Sequence, residues 1–232
     1  MIPIRDDNPI RITPYFTIAL IVINCLVFIY EFALGAQGFR DFTFKYGLIP
    51  AELMQGQDLM PSEYSHLSTS PYLNLFTSMF MHGGIIHLGG NMLYLWIFGN
   101  NIEDVLGHFK FVMFYILSGL AAALAFTFVN PNSEIPLVGA SGAIAGILGA
   151  YMVRFPHARV YTLVWIFIFI RVVALPAVFL LGFWFLLQII NSSSTLSGGV
   201  AWFAHIGGFV FGAGIFWIFG LRYQRRRWYY ER

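Results

Sequence analysis

The sequence is short of charge. Only 10% of its 232 residues are Asp, Glu, Lys or Arg, while 58% are hydrophobic and the mean hydropathy is +0.71. A soluble domain carries about 25% charged and 45–50% apolar residues, so a globule of this composition could not cover its surface. Neither sign of charge is in excess. Thirteen Lys and Arg against eleven Asp and Glu leave +2, too little to point to nucleic acid. Cysteine is almost absent. Cys25 alone excludes an intrachain disulfide and a cysteine-ligated zinc, and in its apolar run it reads as a small hydrophobe. The opening MIPIRDDNPIRITPY lacks the basic, apolar, small-residue order of a cleaved signal peptide. No fixed-period repeat and no Pro- or Ser-rich linker divides the chain, which reads as one domain over 1–232. Disorder is excluded by 25 Phe, 12 Tyr and 6 Trp.

What is abundant is long apolar sequence. A spanning helix needs about 20 residues, so the chain has room for five to seven. The reading favours an all-α membrane protein with six spans near 14–35, 79–102, 109–129, 139–155, 172–190 and 199–220, and a basic tail over 221–232. The stretch from Ala36 to Tyr72 carries Arg40, Asp41, Lys45, Glu52, Asp58 and Glu63. It is too polar to span, and short amphipathic helices at the interface are expected there. The run from Arg159 to Asn191 is too long for one untilted helix and is interrupted by Arg171 and Pro176. An interfacial piece over 159–171 followed by the fifth span fits it; two short spans are the alternative. Positive charge decides the count. With six spans, Lys110, Arg154, Arg159 and the tail residues Arg222, Arg225, Arg226, Arg227 and Arg232 share one side, the cytoplasm, with both termini. Seven spans would put the tail outside. Trp228, Tyr229 and Tyr230 could rest at the interface, and Asn191-Ser192-Ser193 matches a glycosylation sequon on the outer side.

Polar groups inside spans are costly, so each is a functional hypothesis. Ser141 lies in Gly139-Ala140-Ser141-Gly142-Ala143 at the start of span four. Small neighbours leave its hydroxyl reachable, and a helix N-terminus offers free N–H groups to an oxyanion. Taken alone, the pentapeptide reads more readily as a packing device of the small-xxx-small kind. His205 shares a face with Gly208 and Gly212, by the i, i+3, i+7 rule. That face meets another helix rather than lipid, and there a histidine serves equally as a base for a serine or as a cross-helix hydrogen bond. His87 and Asn91 are i, i+4 on one face and both can donate to an oxyanion. His82, five residues before His87, is expected to point elsewhere, toward the first loop. His82 and His87 lack the glutamate and spacing of H-E-x-x-H, and no cysteine or nearby carboxylate completes a zinc shell, so no metal is expected.

Together these residues resemble the rhomboid family of intramembrane serine proteases. The matching motifs are His82-x4-His87-x3-Asn91 opening span two, Gly139-x-Ser141-Gly142 opening span four, and Ala204-His205-x2-Gly208-x3-Gly212 in span six. The resemblance covers nearly all of Pro14 to Gly220 and implies a six-helix rhomboid-like bundle. It implies cleavage of single-span membrane proteins near the outer face of the lipid bilayer by a Ser–His dyad, without a cofactor. Carried over, Ser141 is the nucleophile and His205 the general base and acid. His87, Asn91 and the Ser141 N–H line the oxyanion hole, and Glu103, in Phe98-Gly99-x3-Glu103-x2-Leu106-Gly107, ties down the end of span two. His82, Gly139, Gly142 and Gly208 support the site.

Two positions depart from the family pattern. Some relatives carry an aromatic one turn after the serine, packed on the catalytic histidine; here it is Ala145, so another group must orient His205. The first loop has only Phe39-Arg40 where several relatives have Trp-Arg. Span five, with Pro176, Phe183, Trp184 and Phe185, is a candidate lateral gate, although aromatics simply facing lipid fit slightly better. A catalytically silent rhomboid-like protein that binds membrane helices is the alternative function, and a small transporter is a third. Silent relatives lose the serine or the histidine, and both are present here. A transporter predicts more ionisable residues in spans or two repeated halves. The short chain suits a bacterial inner membrane better than an organelle.

Overall fold

In a computed structural model the apolar runs become helices arranged around one short central helix. The structure describes residues 1–56, 69–166, 169–192 and 201–221. The basic tail from Arg222 onward, Asp58, Glu63 and the Ser193 end of the sequon lie outside the described residues.

The chain opens with strand β1 (Ile2–Asp6) and helix α1 (Tyr15–Ala33). The first loop folds into α2 (Gly35–Tyr46), α3 (Pro50–Gln55) and α4 (Pro71–Thr77), the short helices expected of an interfacial loop. Phe39 packs edge-on against Phe28 of α1, with centroids 6.4 Å apart, while Arg40 stays exposed and donates to Gln37. Next come α5 (Ile85–Tyr94), a π-turn over Leu95–Gly99 and α6 (Asn100–Leu106), which form one unbroken helical run. They are followed by α7 (His108–Val129), α8 (Ser141–Arg154), strands β2 (Arg159–Ile166) and β3 (Phe169–Pro176), α9 (Ala177–Ser192) and α10 (Trp202–Ile218).

Two boundaries differ from the sequence reading. The helix expected from 79 starts at Ile85, because Ser78–Phe80 is a single 3-10 turn and the chain then extends through Gly84. The helix expected from 172 starts at Ala177, because the interfacial piece expected over 159–171 and the first residues of that span form the paired strands β2 and β3. β1 joins that hairpin in a three-stranded antiparallel sheet of order β1-β2-β3. β2 reads Arg-Val-Tyr-Thr-Leu-Val-Trp-Ile, rich in β-branched and aromatic residues. Val160 and Thr162 alternate inward, both fully buried, and Arg5 of β1 stacks over the Tyr161 ring at 4.5 Å. The fold is therefore mostly helical, as expected, with a small sheet that hydropathy did not reveal.

By length and hydropathy α1 and α7 suffice to cross a membrane; α9 and α10 are shorter and apolar. The heart of the packing is α8, where every residue from Gly142 to Tyr151 is buried. A 14-residue helix with Gly or Ala at six positions can be enclosed because its neighbours approach its backbone there. A Cβ on Gly142 would lie 2.6 Å from the Ala122 Cβ of α7. A Cβ on Gly208 or Gly212 of α10 would run into the carbonyl oxygens of Gly142 and Gly146. Small residues thus bring α10 against α8 backbone to backbone. Beneath this contact a band of aromatics, Phe98, Phe111, Tyr115, Tyr151 and Phe216, fills the core with no solvent exposure.

The N-terminal segment is pinned to the end of the α5–α6 run. Glu103, fully buried, accepts from the Phe16 and Thr17 N–H groups at 3.0 and 2.8 Å and from the Thr17 hydroxyl at 2.7 Å. It also meets His108 Nδ1 at 2.6 Å. A carboxylate thus caps the free amides at the start of α1, where the helix dipole favours negative charge. Asp104 accepts from the Arg11 and Ile12 amides.

Asp6 accepts from the Tyr151 hydroxyl at 2.5 Å and from Asn101 at 2.9 Å. Burial pushes its carboxyl up from 3.8 to about 6, against the pull of the Tyr151 hydrogen bond. The protonated form is therefore favoured by folding. Its contribution is complete below the unfolded value of 3.8 and is lost as pH rises through about 6. Asp6→Asn keeps the acceptor and removes the charge. Its melting temperature in detergent should fall less between pH 5 and pH 8 than that of the parent chain. An identical fall in both would show that Asp6 does not titrate in this window.

Candidate active site

Ser141 is the first residue of α8, so its backbone N–H has no partner within the helix. The segment before it is held in place. Leu48 pairs with Leu137 through two backbone hydrogen bonds of 3.0 and 2.7 Å, and the Gly139 amide donates to the Ser78 carbonyl at 2.9 Å. Gly139 adopts φ +126°, a backbone conformation that favours glycine. A Cβ there would sit 2.8 Å from the His87 ring. Gly139 therefore lets the turn before the serine close directly onto His87.

His205 reaches Ser141 from α10, 64 residues along the chain; its Nε2 lies 2.8 Å from the Ser141 Oγ. The glycine contact between α8 and α10 sets this distance. Gly208, one turn after His205, lies against the carbonyl of Gly142, the residue after the serine. Gly142 and Gly208 thus fix the helix spacing.

His87 and Asn91 share one face of α5 and line the same cavity as Ser141 and His205, a space of about 950 Å³. Asn91 is 8% exposed, and its Nδ2 has no partner among the described residues. A buried amide donor left open in a cavity is unusual and is available to a ligand oxygen. The Gly83 amide donates to His87 Nδ1 at 3.4 Å, which leaves the proton of a neutral ring on Nε2, a second donor. His82 differs from its expected position. Its ring lies edge-on to His87, with centroids 5.1 Å apart. The i, i+5 helical offset does not apply, because the Gly83-Gly84 turn separates His82 from α5. His82 is buried, and its amide donates to the Glu31 carboxylate at 3.3 Å. Glu103 is not in the cavity wall; its contacts are with α1 and His108.

Helix α9 supplies a residue that sequence reasoning missed. Gln188, 4% exposed, has its Oε1 2.9 Å from His205 Nδ1. Trp184 lies tilted against the same imidazole, with centroids 5.8 Å apart, and Trp202 meets it edge-on at 6.2 Å. The aromatic ring beside His205 thus comes from α9, whereas α8 carries Ala145. Phe185 stacks on Phe209 of α10 at 4.4 Å, and Phe183 is exposed, so only part of this aromatic run faces outward. The signal for Gln188 was present: it is the one polar side chain between Ala177 and Ile190.

The sequence profile of the Rhomboid domain matches residues 69–222. "Rhomboid protein 1, mitochondrial" of Saccharomyces cerevisiae is 36% identical over 92 residues, 38% of this chain and 27% of that protein. "Rhomboid protease GluP" of Bacillus subtilis is 36% identical over 90 residues, 39% of this chain and 17% of that protein. "RHOMBOID-like protein 1" of Arabidopsis thaliana is 31% identical over 150 residues, 65% of this chain and 35% of that protein. The chain thus spans about a third or less of the length of these relatives. Proteins named mitochondrial and a bacterial one match alike, so the similarity does not favour a bacterial over a mitochondrial membrane. With the profile covering most of the chain, this integral membrane protein belongs to the rhomboid family.

Proposed function

We propose that the chain is an intramembrane serine endopeptidase that cuts single-span membrane proteins with a Ser141–His205 dyad. The observation that carries this is the 2.8 Å pairing of Ser141 Oγ with His205 Nε2 in a cavity that also holds two open donors, Asn91 and His87. In this reading α1, the α5–α6 run, α7, α8, α9 and α10 make six crossings with both termini cytoplasmic. Ser141 and His205 then lie below the outer surface, in reach of water through the cavity.

Ser141 Oγ attacks the carbonyl carbon of the scissile peptide as His205 Nε2 takes the hydroxyl proton. The carbonyl oxygen becomes an oxyanion, bound by Asn91 Nδ2, His87 Nε2–H and the Ser141 N–H. Collapse breaks the C–N bond, and His205 passes the proton to the leaving nitrogen. Water then attacks the acyl-serine, gives a proton to His205 Nε2 and releases the carboxylic acid, and the proton returns to Ser141. A substrate helix must unwind to present its carbonyl, so small or helix-destabilising residues near the cut are favoured.

The test is cleavage of a model single-span substrate in liposomes. The parent chain should cut it, and persistent absence of cleavage would reject the reading. Asn91→Ala should lower kcat roughly 10²–10³-fold, the loss typical of a single oxyanion donor. A wild-type rate in that variant would remove Asn91 from the oxyanion hole.

A further inference from the structure

We infer that Gln188 is a positioning residue that fixes the tautomer of His205. The inference rests on the protease reading above, because a tautomer matters only if His205 serves as base.

A serine needs an imidazole whose Nε2 lone pair faces the hydroxyl. A neutral histidine meets that condition only if its proton is on Nδ1. In the histidine of a serine–histidine–aspartate triad a carboxylate holds the Nδ1–H. Here no carboxylate lies in hydrogen-bonding contact with His205 among the described residues. Nδ1 meets the side chain of Gln188, Oε1 at 2.9 Å.

A primary amide has one accepting and one donating end, so its orientation decides the outcome. The other end of Gln188, Nε2, lies 2.9 Å from the Trp184 carbonyl oxygen, one turn back on α9. That carbonyl can only accept, so the end of the amide facing it must be the NH₂. The carbonyl end is thereby turned to His205, and a carbonyl oxygen can only accept. Nδ1 must then carry the proton, leaving Nε2 as the acceptor for the Ser141 hydroxyl at 2.8 Å. The chain Trp184 C=O, Gln188 amide, His205 imidazole, Ser141 hydroxyl has one consistent direction of donation, and its last donor is the nucleophile. Burial of Gln188 at 4% exposure keeps water from competing for either end. The Trp184 ring, lying 5.8 Å from the imidazole centroid, restrains its rotation. Helix α9 thus contributes both an orienting amide and a tilted aromatic ring to a base carried on α10.

Gln188→Met matches the volume and removes the acceptor; Gln188→Glu keeps an acceptor at the same reach. With the full chain in detergent, Gln188→Met should lower kcat about tenfold, the size expected for loss of one buried hydrogen bond, with KM changed by less than about twofold. The rate at which a fluorophosphonate labels Ser141 should fall by the same factor, since that reaction needs the base but not a docked substrate helix. Gln188→Glu should label at a rate within about threefold of the parent, because the acceptor at Nδ1 is kept. Histidine-specific ¹⁵N NMR, with the His205 signals identified by their loss in His205→Ala, should show Nδ1 protonated and Nε2 unprotonated in the parent chain. A parent His205 protonated at Nε2, or a Gln188→Met variant that labels at the parent rate or changes KM alone, would overturn the assignment. Failure of the parent chain to label or cleave at all would instead defeat the protease reading, while the NMR result would still decide the Gln188 contact.

Discussion

Ser141→Ala, His205→Ala and the double variant are expected to lose cleavage to the same floor. The hydroxyl and the imidazole act as one unit. Without the base the hydroxyl is a poor nucleophile, and without the hydroxyl the base has nothing to activate. In serine proteases, removing the serine or the histidine alone costs about as much as removing the whole catalytic set, on the order of 10⁶ in kcat. The two losses should therefore not multiply. The folds should survive, because the Oγ and the imidazole face the cavity, whereas the α8–α10 contact is made by Gly142, Gly146, Gly208 and Gly212. A parental melting temperature for Ser141→Ala and a cooperative, somewhat lower one for His205→Ala, which leaves Gln188 Oε1 unpaired, alongside absent cleavage would check both halves of the expectation. Cleavage by Ser141→Ala would reject the nucleophile, and a double variant far worse than either single would reject a dyad.

The second large effect comes from a residue without chemistry. Gly208→Ala adds one methyl, placed against the carbonyl of Gly142, whose carbon would be 3.1 Å away. The neighbour is backbone, so the helices must separate. That shift acts at the residue next to Ser141 and one turn from His205, and a misplacement of about 1 Å is enough to cost on the order of 10²-fold in rate. Cleavage should fall by at least that much, and stability by about 1–3 kcal/mol from overpacking. Gly214→Ala, on the same helix, meets nothing within 4 Å and should behave like the parent chain. A Gly208→Ala variant with parental activity would mean that the α8–α10 spacing does not set the Ser141–His205 distance.

The sequence displayed some of this directly. His87 and Asn91 could be placed together because four residues on a helix is a local relation. Glycine spacing on α10 put His205 on a packing face for the same reason. The meeting of His205 with Ser141 is a tertiary relation, and spacing supplied only two compatible faces; the resemblance to a family supplied the pairing. The β-hairpin escaped because hydropathy divides this stretch into an interfacial piece over 159–171 and span material from 172, although the branched side chains of Val160, Thr162 and Val172 favour strands. Its third strand, Ile2–Asp6, comes from the far end of the chain. His82 was misplaced because a helical offset was carried across the Gly83-Gly84 turn. Gln188 was overlooked although it breaks an otherwise apolar run, a position that marks a polar residue for attention.

The most direct measurement is labelling of the purified chain by a fluorophosphonate, with the modified residue located by mass spectrometry. A dyad in which His205 activates Ser141 predicts one adduct, on Ser141, abolished in Ser141→Ala and strongly slowed in His205→Ala. An unlabelled Ser141 in a folded chain, or an adduct that persists unchanged in His205→Ala, would contradict it.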